Sequence, residues 1–106
     1  MDVAQQEVFG PVAPVFTVRD DKEAVMLANT TDFGLGGSVW TNNLARGTAI
    51  ARSIDSGCIF VNHITKSDPR MPFGGVKKSG IGRELSRFGI REFVNIKGFN
   101  LYPHDS

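Results

Sequence analysis

The chain has 106 residues, 41% of them hydrophobic, with 12 Lys and Arg against 11 Asp and Glu, and the mixed signs leave a net charge of only +1. That balance offers no electrostatic footprint for nucleic acid or an anionic membrane, and with neither a signal-peptide pattern nor a membrane-length apolar run a cytoplasmic location is expected. One cysteine and two histidines exclude an internal disulfide and a structural zinc site, and a chain of this length is expected to bury roughly 65% of its unfolded surface in one compact domain.

In chain order, residues 12–18 read as a short strand rich in Val and Phe, with Pro11 and Pro14 near its start. Asp20, followed three residues later by Glu23, matches a capping box, and Ala24, Leu27 and Ala28 share one face of the helix that follows. Residues 36–41 form a second expected strand. Asn42 and Asn43 then offer an N-cap for a helix over 44–55, in which Gly47, Ile50, Ala51 and Ile54 fall at i, i+3, i+4 and i+7. Ser56 and Gly57 break that helix, and Cys58-Ile59-Phe60-Val61 has the continuous apolar character of a strand covered on both faces. The pattern predicts an α/β fold, a β-α-β-α-β parallel sheet with right-handed crossovers. A long loop over 63–81 follows, of a length that is usually functional or disordered. Leu85, Phe88, Gly89 and Phe93 mark a C-terminal helix, and residues 94–102 alternate weakly as a last strand without an obvious partner.

The glycine clusters fail as phosphate loops. Gly34-Leu35-Gly36 precedes a strand and has Val39 where the third glycine belongs, and Ile81-Gly82 stand where a Walker A motif needs Lys and Ser or Thr. Lys77 and Lys78 are either a solvated pair or an anion site. Cys58, between apolar neighbours, reads as a small core residue rather than a nucleophile. His63 follows the third strand at its carboxyl end, where open α/β sheets place their sites, and either serves function or bonds its own loop. Glu7 reads as a surface carboxylate. No nucleophile with a base, no paired carboxylates and no metal set are present, so no catalytic constellation is complete.

The motifs Glu7-Val8-Phe9-Gly10-Pro11, Asn29 through Leu35 and Gly36, Gly57 through Val61-Asn62, and Pro72-Phe73-Gly74-Gly75-Val76-Lys77-Lys78-Ser79-Gly80-Ile81-Gly82-Arg83-Glu84 resemble, in order, motifs of the aldehyde dehydrogenase superfamily. The likeness covers nearly the whole chain and corresponds to the last quarter of such an enzyme. The family's catalytic cysteine, general-base glutamate, oxyanion-hole asparagine and cofactor fold lie upstream of it, and Cys58 does not match that cysteine.

The resemblance implies that residues 1–96 are the C-terminal part of the catalytic domain and 97–106 a tail ending the oligomerisation arm of a homo-oligomer. It implies that Glu7 accepts hydrogen bonds from the nicotinamide ribose of NAD or NADP, that Phe9 packs beside the nicotinamide, and that Phe73 lines the substrate funnel. The loop Lys66-Ser67-Asp68-Pro69-Arg70 is similar to that of succinate-semialdehyde dehydrogenases, with Ser67 matching a serine that binds the substrate's distal carboxylate and Arg70 either a second ligand or solvated. The implied activity is oxidation of a small-molecule aldehyde, succinate semialdehyde, to its acid through a thiohemiacetal and a thioester, with the bare chain inactive. A stand-alone interaction or oligomerisation module without catalysis is the other expectation.

Overall fold

A computed structural model describes residues 2–104; the last two residues of the expected tail, 105 and 106, lie outside the described residues. After a 3-10 turn at Asp2–Ala4, the elements are α1 (Asp21–Ala28), β1 (Phe33–Gly34), β2 (Gly36–Val39), α2 (Leu44–Ser53), β3 (Cys58–Val61), β4 (Val76–Lys77) and α3 (Ser86–Arg91).

Capping chemistry opens both longer helices. The Asp20 carboxylate accepts from Glu23 N at 2.8 Å, while the Glu23 carboxylate reaches back to Arg19 N at 2.7 Å, one residue earlier than a standard capping box. Asn43 Oδ1 accepts from Arg46 N at 3.0 Å and starts α2. The two helices are tied by Arg46, whose guanidinium grips Asp21 through two nitrogens.

The centre is a β-α-β unit: β2 and β3 pair in parallel, Gly36 opposite Cys58 through Val39 opposite Val61, with α2 as the crossover. Glycine sets how closely α2 approaches, because a Cβ on Gly47 would lie 2.8 Å from a Thr41 methyl and 2.9 Å from a Val61 methyl. Asn62 prolongs the ladder from its side chain, accepting from Thr41 N at 2.8 Å and donating to Thr41 O at 2.9 Å. A second, antiparallel ladder pairs β1 with β4, so the stretch 63–81 contains a strand and is not a bare loop.

The α/β class stands, with two differences in its elements. Residues 12–18 run without a strand ladder, and so do residues 94–103. Both segments keep strand-like sequences, but a strand exists only by pairing, and no neighbouring strand lies against either among the described residues. Val15 is 90% exposed and Ile96 81% exposed.

A single compact domain is also not observed. The chain extends over 72 × 32 × 23 Å with a radius of gyration of 19.4 Å, against about 13 Å for a compact domain of this length. Its accessible surface is 8955 Å², where a compact monomer of this size exposes roughly 5800 Å². The buried residues among those described are Gly34, Gly47, Gly75 and Gly89, and no apolar side chain reaches that state.

The tightest contact is between backbones: a Cβ on Gly57 would fall on the Gly74 carbonyl and lie 3.1 Å from Gly75 Cα. In an enzyme carrying this chain, Gly57→Ala should therefore cost at least the roughly 1–3 kcal/mol of overpacking, because backbone cannot swing away as a side chain can. Gly98→Ala, with nothing within 4 Å, should be near neutral. Thermal denaturation of both variants checks this, and an unchanged Tm for Gly57→Ala would refute the contact.

Candidate functional site

Of the residues named through the resemblance, Glu7 and Phe73 line two clefts that share Leu35, whereas Phe9 and Ser67 line neither. The N-terminal segment Gln5-Gln6-Glu7 forms one wall of a cleft of about 490 Å³, with Thr31, Phe33 and Leu35 opposite. Phe73 and Leu35 both line a second cleft of about 400 Å³, together with the Gly80–Glu84 turn. Glu7 is exposed and makes no hydrogen bond or ion pair among the described residues, which leaves both carboxylate oxygens free to accept. Phe9 does not line the Glu7 cleft; it sits at a positive φ of 49° with 92% of its surface exposed.

Phe73 is held in place by paired backbone bonds with Glu84, donating at 2.9 Å and accepting at 2.7 Å. Its other side closes a pocket of about 270 Å³ with Cys58, Phe60, Lys66, Asp68 and Met71. Ser67 is exposed and does not line this pocket, although its neighbours on both sides do. Arg70 folds back on its own loop, its Nε at 3.0 Å and Nη2 at 2.7 Å from the Asp68 carboxylate. Those hydrogen bonds, reinforced by charge, hold Asp68 well below the usual carboxylate range and raise Arg70.

The lysine pair is engaged with the chain itself. Lys77 Nζ donates to Asn29 O at 3.2 Å and Thr31 O at 3.1 Å, and Lys78 Nζ to Asp32 at 2.6 Å. His63 Nδ1 donates to the carbonyl of Ile64 at 2.7 Å, the loop-bonding role. Cys58 is half-buried, and burial pushes its thiol up, opposed by the Arg83 charge.

Two of the clefts open beside Leu35, at the amino end of β2, and the third runs along β3 from Gly57 to Phe60; His63 lines none of the three. The reason is local: the chain leaves β3 at Val61 and returns along the strand, so that Gly74 lies against Gly57. Leu35 was not singled out as a site residue, yet its signal was available as the final leucine of the motif that starts at Asn29.

No His, Cys, Asp and Glu group among the described residues fits a metal ion, and no helix among them is long and apolar enough to cross a membrane. The fold class is that of solved oxidoreductases. An NAD-dependent aldehyde dehydrogenase from Sinorhizobium meliloti superposes with a TM-score of 0.89 at 40% identity, covering 100% of this chain and 22% of that one. A succinic semialdehyde dehydrogenase from Streptococcus pyogenes, solved with NADP+ as the cofactor, gives 0.84 at 43% identity over 88% of this chain and 20% of its own.

The chain belongs to the aldehyde dehydrogenase family, whose sequence model, "Aldehyde dehydrogenase family", matches residues 1–99. A Synechocystis protein named probable succinate-semialdehyde dehydrogenase (NADP+) is 57% identical over 93 residues, 88% of this chain and 20% of that protein. The succinate-semialdehyde dehydrogenase (NADP+) of Deinococcus radiodurans is 48% identical over 103 residues, 97% of this chain and 22% of that protein. The chain thus spans about a fifth of the length of these relatives.

The raised pKa of Cys58 means that less thiolate is present at neutral pH than in an ordinary thiol. Alkylation by iodoacetamide at pH 7.5 should run slower than for an unstructured cysteine peptide and catch up as pH rises. Faster alkylation than the peptide would contradict the burial.

Proposed function

We propose that residues 1–96 form the C-terminal part of the catalytic domain of an NAD(P)-dependent aldehyde dehydrogenase that oxidises succinate semialdehyde to the acid. The observation that supports it most directly is Leu35, shared between the cleft holding Glu7 and the cleft holding Phe73, so that a cofactor wall and a substrate wall adjoin. The two unengaged oxygens of Glu7 suit the vicinal hydroxyls of a nicotinamide ribose, and the exposed ring of Phe9, outside that cleft, is left uncovered to pack beside the nicotinamide. When bound, the nicotinamide supplies a two-electron acceptor. Glu7 contributes orientation, Phe73 an apolar funnel that excludes water, and the Ser67 hydroxyl a hydrogen bond to the distal carboxylate. The NADP(+) in the names of relatives 48–57% identical supports the cofactor class and the semialdehyde.

No residue here matches the family's catalytic cysteine, so neither attack on the carbonyl nor hydride transfer belongs to these residues alone. The 106-residue chain should give no protein-dependent NADH or NADPH with succinate semialdehyde; robust turnover would overturn this division of labour. In the complete enzyme, Glu7→Gln loses a charge-assisted bond of about 1.5–3 kcal/mol, so cofactor affinity and the hydride step should fall by roughly tenfold or more. Fluorescence titration and pre-steady-state NADPH formation read both, and two unchanged values would return Glu7 to the surface. Ser67→Ala should raise KM for succinate semialdehyde and leave that for butanal unchanged. Equal effects on both aldehydes would dismiss the carboxylate contact.

A second reading is favoured by the open apolar surface: the chain also serves assembly, with residues 97–106 as the arm of a homo-oligomer. Phe99, Leu101 and Tyr102 are each at least 77% exposed on an extended segment. Sedimentation of the chain should show association and hydrophobic-dye binding. A dilute, dye-negative monomer would exclude this role.

A further inference from the structure

The geometry points to Lys77 as a positioning residue that sets the cofactor wall against the substrate wall, an inference that rests on the assignment of Glu7 to the ribose. The Val76-Lys77-Lys78-Ser79 stretch continues from Phe73 through Gly74 and Gly75, so it is covalently part of the substrate wall. Its polar groups are directed at residues 29–34, of which Thr31, Phe33 and Gly34 line the Glu7 cleft. Lys77 Nζ bridges Asn29 O and Thr31 O, Lys78 N donates to Asp32 O at 2.9 Å, and Ser79 Oγ accepts from Gly34 N at 2.9 Å. Asn29 is in turn anchored to the end of α2, donating to Ser53 O at 2.9 Å and accepting from Asp55 N at 2.8 Å.

Lys77 is the member of this clamp that joins three pieces at once. It sits at φ 54°, a conformation that lysine rarely adopts, and from there its ammonium reaches the carbonyls on both sides of Thr30. Thr31, Phe33, Gly34 and Leu35 then carry that placement to the Glu7 cleft. Lys78 makes a different contribution, an exposed pair with Asp32 in which each side chain is 68% accessible. Because hydride transfer tolerates little error in the separation of ring and aldehyde, a shift of these cleft residues is read out in the reaction, not only in stability.

The test uses a complete aldehyde dehydrogenase carrying residues 1–106, with Lys77→Met, Lys77→Arg, Glu7→Gln and Arg46→Met compared for NADP+ affinity, kcat, aldehyde KM and Tm. Lys77→Met should weaken NADP+ binding and slow NADPH formation by about tenfold, with Lys77→Arg recovering most of the loss because a guanidinium can also donate to two carbonyls. Arg46→Met removes the α1–α2 ion pair and should move Tm alone. A Lys77→Met enzyme with lowered Tm but wild-type NADP+ affinity and kcat overturns the inference. Where Lys77→Met does not accumulate as folded protein, Ser79→Ala breaks the same clamp and should weaken NADP+ binding; unchanged affinity there overturns it equally. An unaffected Glu7→Gln overturns the ribose reading and this inference with it, whereas a weakened Glu7→Gln beside an unchanged Lys77→Met overturns this inference alone.

Discussion

The contact on which the other features depend is backbone on backbone, Gly74 lying against Gly57 at the entry to β3. It brings the Pro72–Glu84 block back along the strand it has just left. Only then can Phe73 bridge to Glu84, β4 pair with β1, and Lys77 reach the end of α1. A Cβ on Gly57 would force these two segments apart, and one on Gly74 would run into the Gly82 carbonyl at 2.7 Å on its other side. Gly34 repeats the constraint one layer away, where a Cβ would stand 2.6 Å from Asp55 O and 2.7 Å from a Val76 methyl. The glycine clusters that resembled failed phosphate loops are thus sites of close backbone approach.

This architecture has an energetic consequence. Hydrophobic stabilisation scales with apolar area removed from water, about 25 cal/mol per Å², and here the buried positions are glycines while Phe16, Trp40, Phe93 and Ile96 stay at least half exposed. Hydrogen bonds and short ladders hold the central unit, but each contributes only about 0.5–1.5 kcal/mol net. The central unit therefore has its local geometry specified by capping and glycine packing, with its apolar faces left open.

Local signals were legible in the sequence and long-range ones were not. Asp20 with Glu23, Asn43, and the i, i+3, i+4, i+7 pattern at Gly47 located α1 and α2 because each is decided within a few residues. β3 was legible for the same reason, as four consecutive apolar residues. Residues 12–18 and 94–102 have equally strand-like composition, yet pairing is a property of two segments and one sequence shows only one of them. β4 was missed because Val76-Lys77 is two residues long and becomes a strand only through Phe33-Gly34. The candidate site residues came from the motif resemblance: Glu7, Phe9, Ser67 and Phe73 carry no pattern of charge or spacing that distinguishes them from surface and loop.

The polar residues sort themselves by engagement. Those that stood out in the sequence as possible chemistry, Lys77, Lys78, Arg70 and His63, all spend their donors on the chain's own carbonyls or carboxylates. Glu7, on the wall of its cleft, and Ser67, exposed on its loop, both unremarkable by composition, are left with unused acceptors and donors. A polar group already satisfied must break a bond to meet a ligand, whereas an unsatisfied one exchanges only water, so the second set is better placed to bind. The conspicuous residues accordingly build the frame, while the Glu7 carboxylate and the Ser67 hydroxyl keep their hydrogen-bonding capacity for solvent or a ligand.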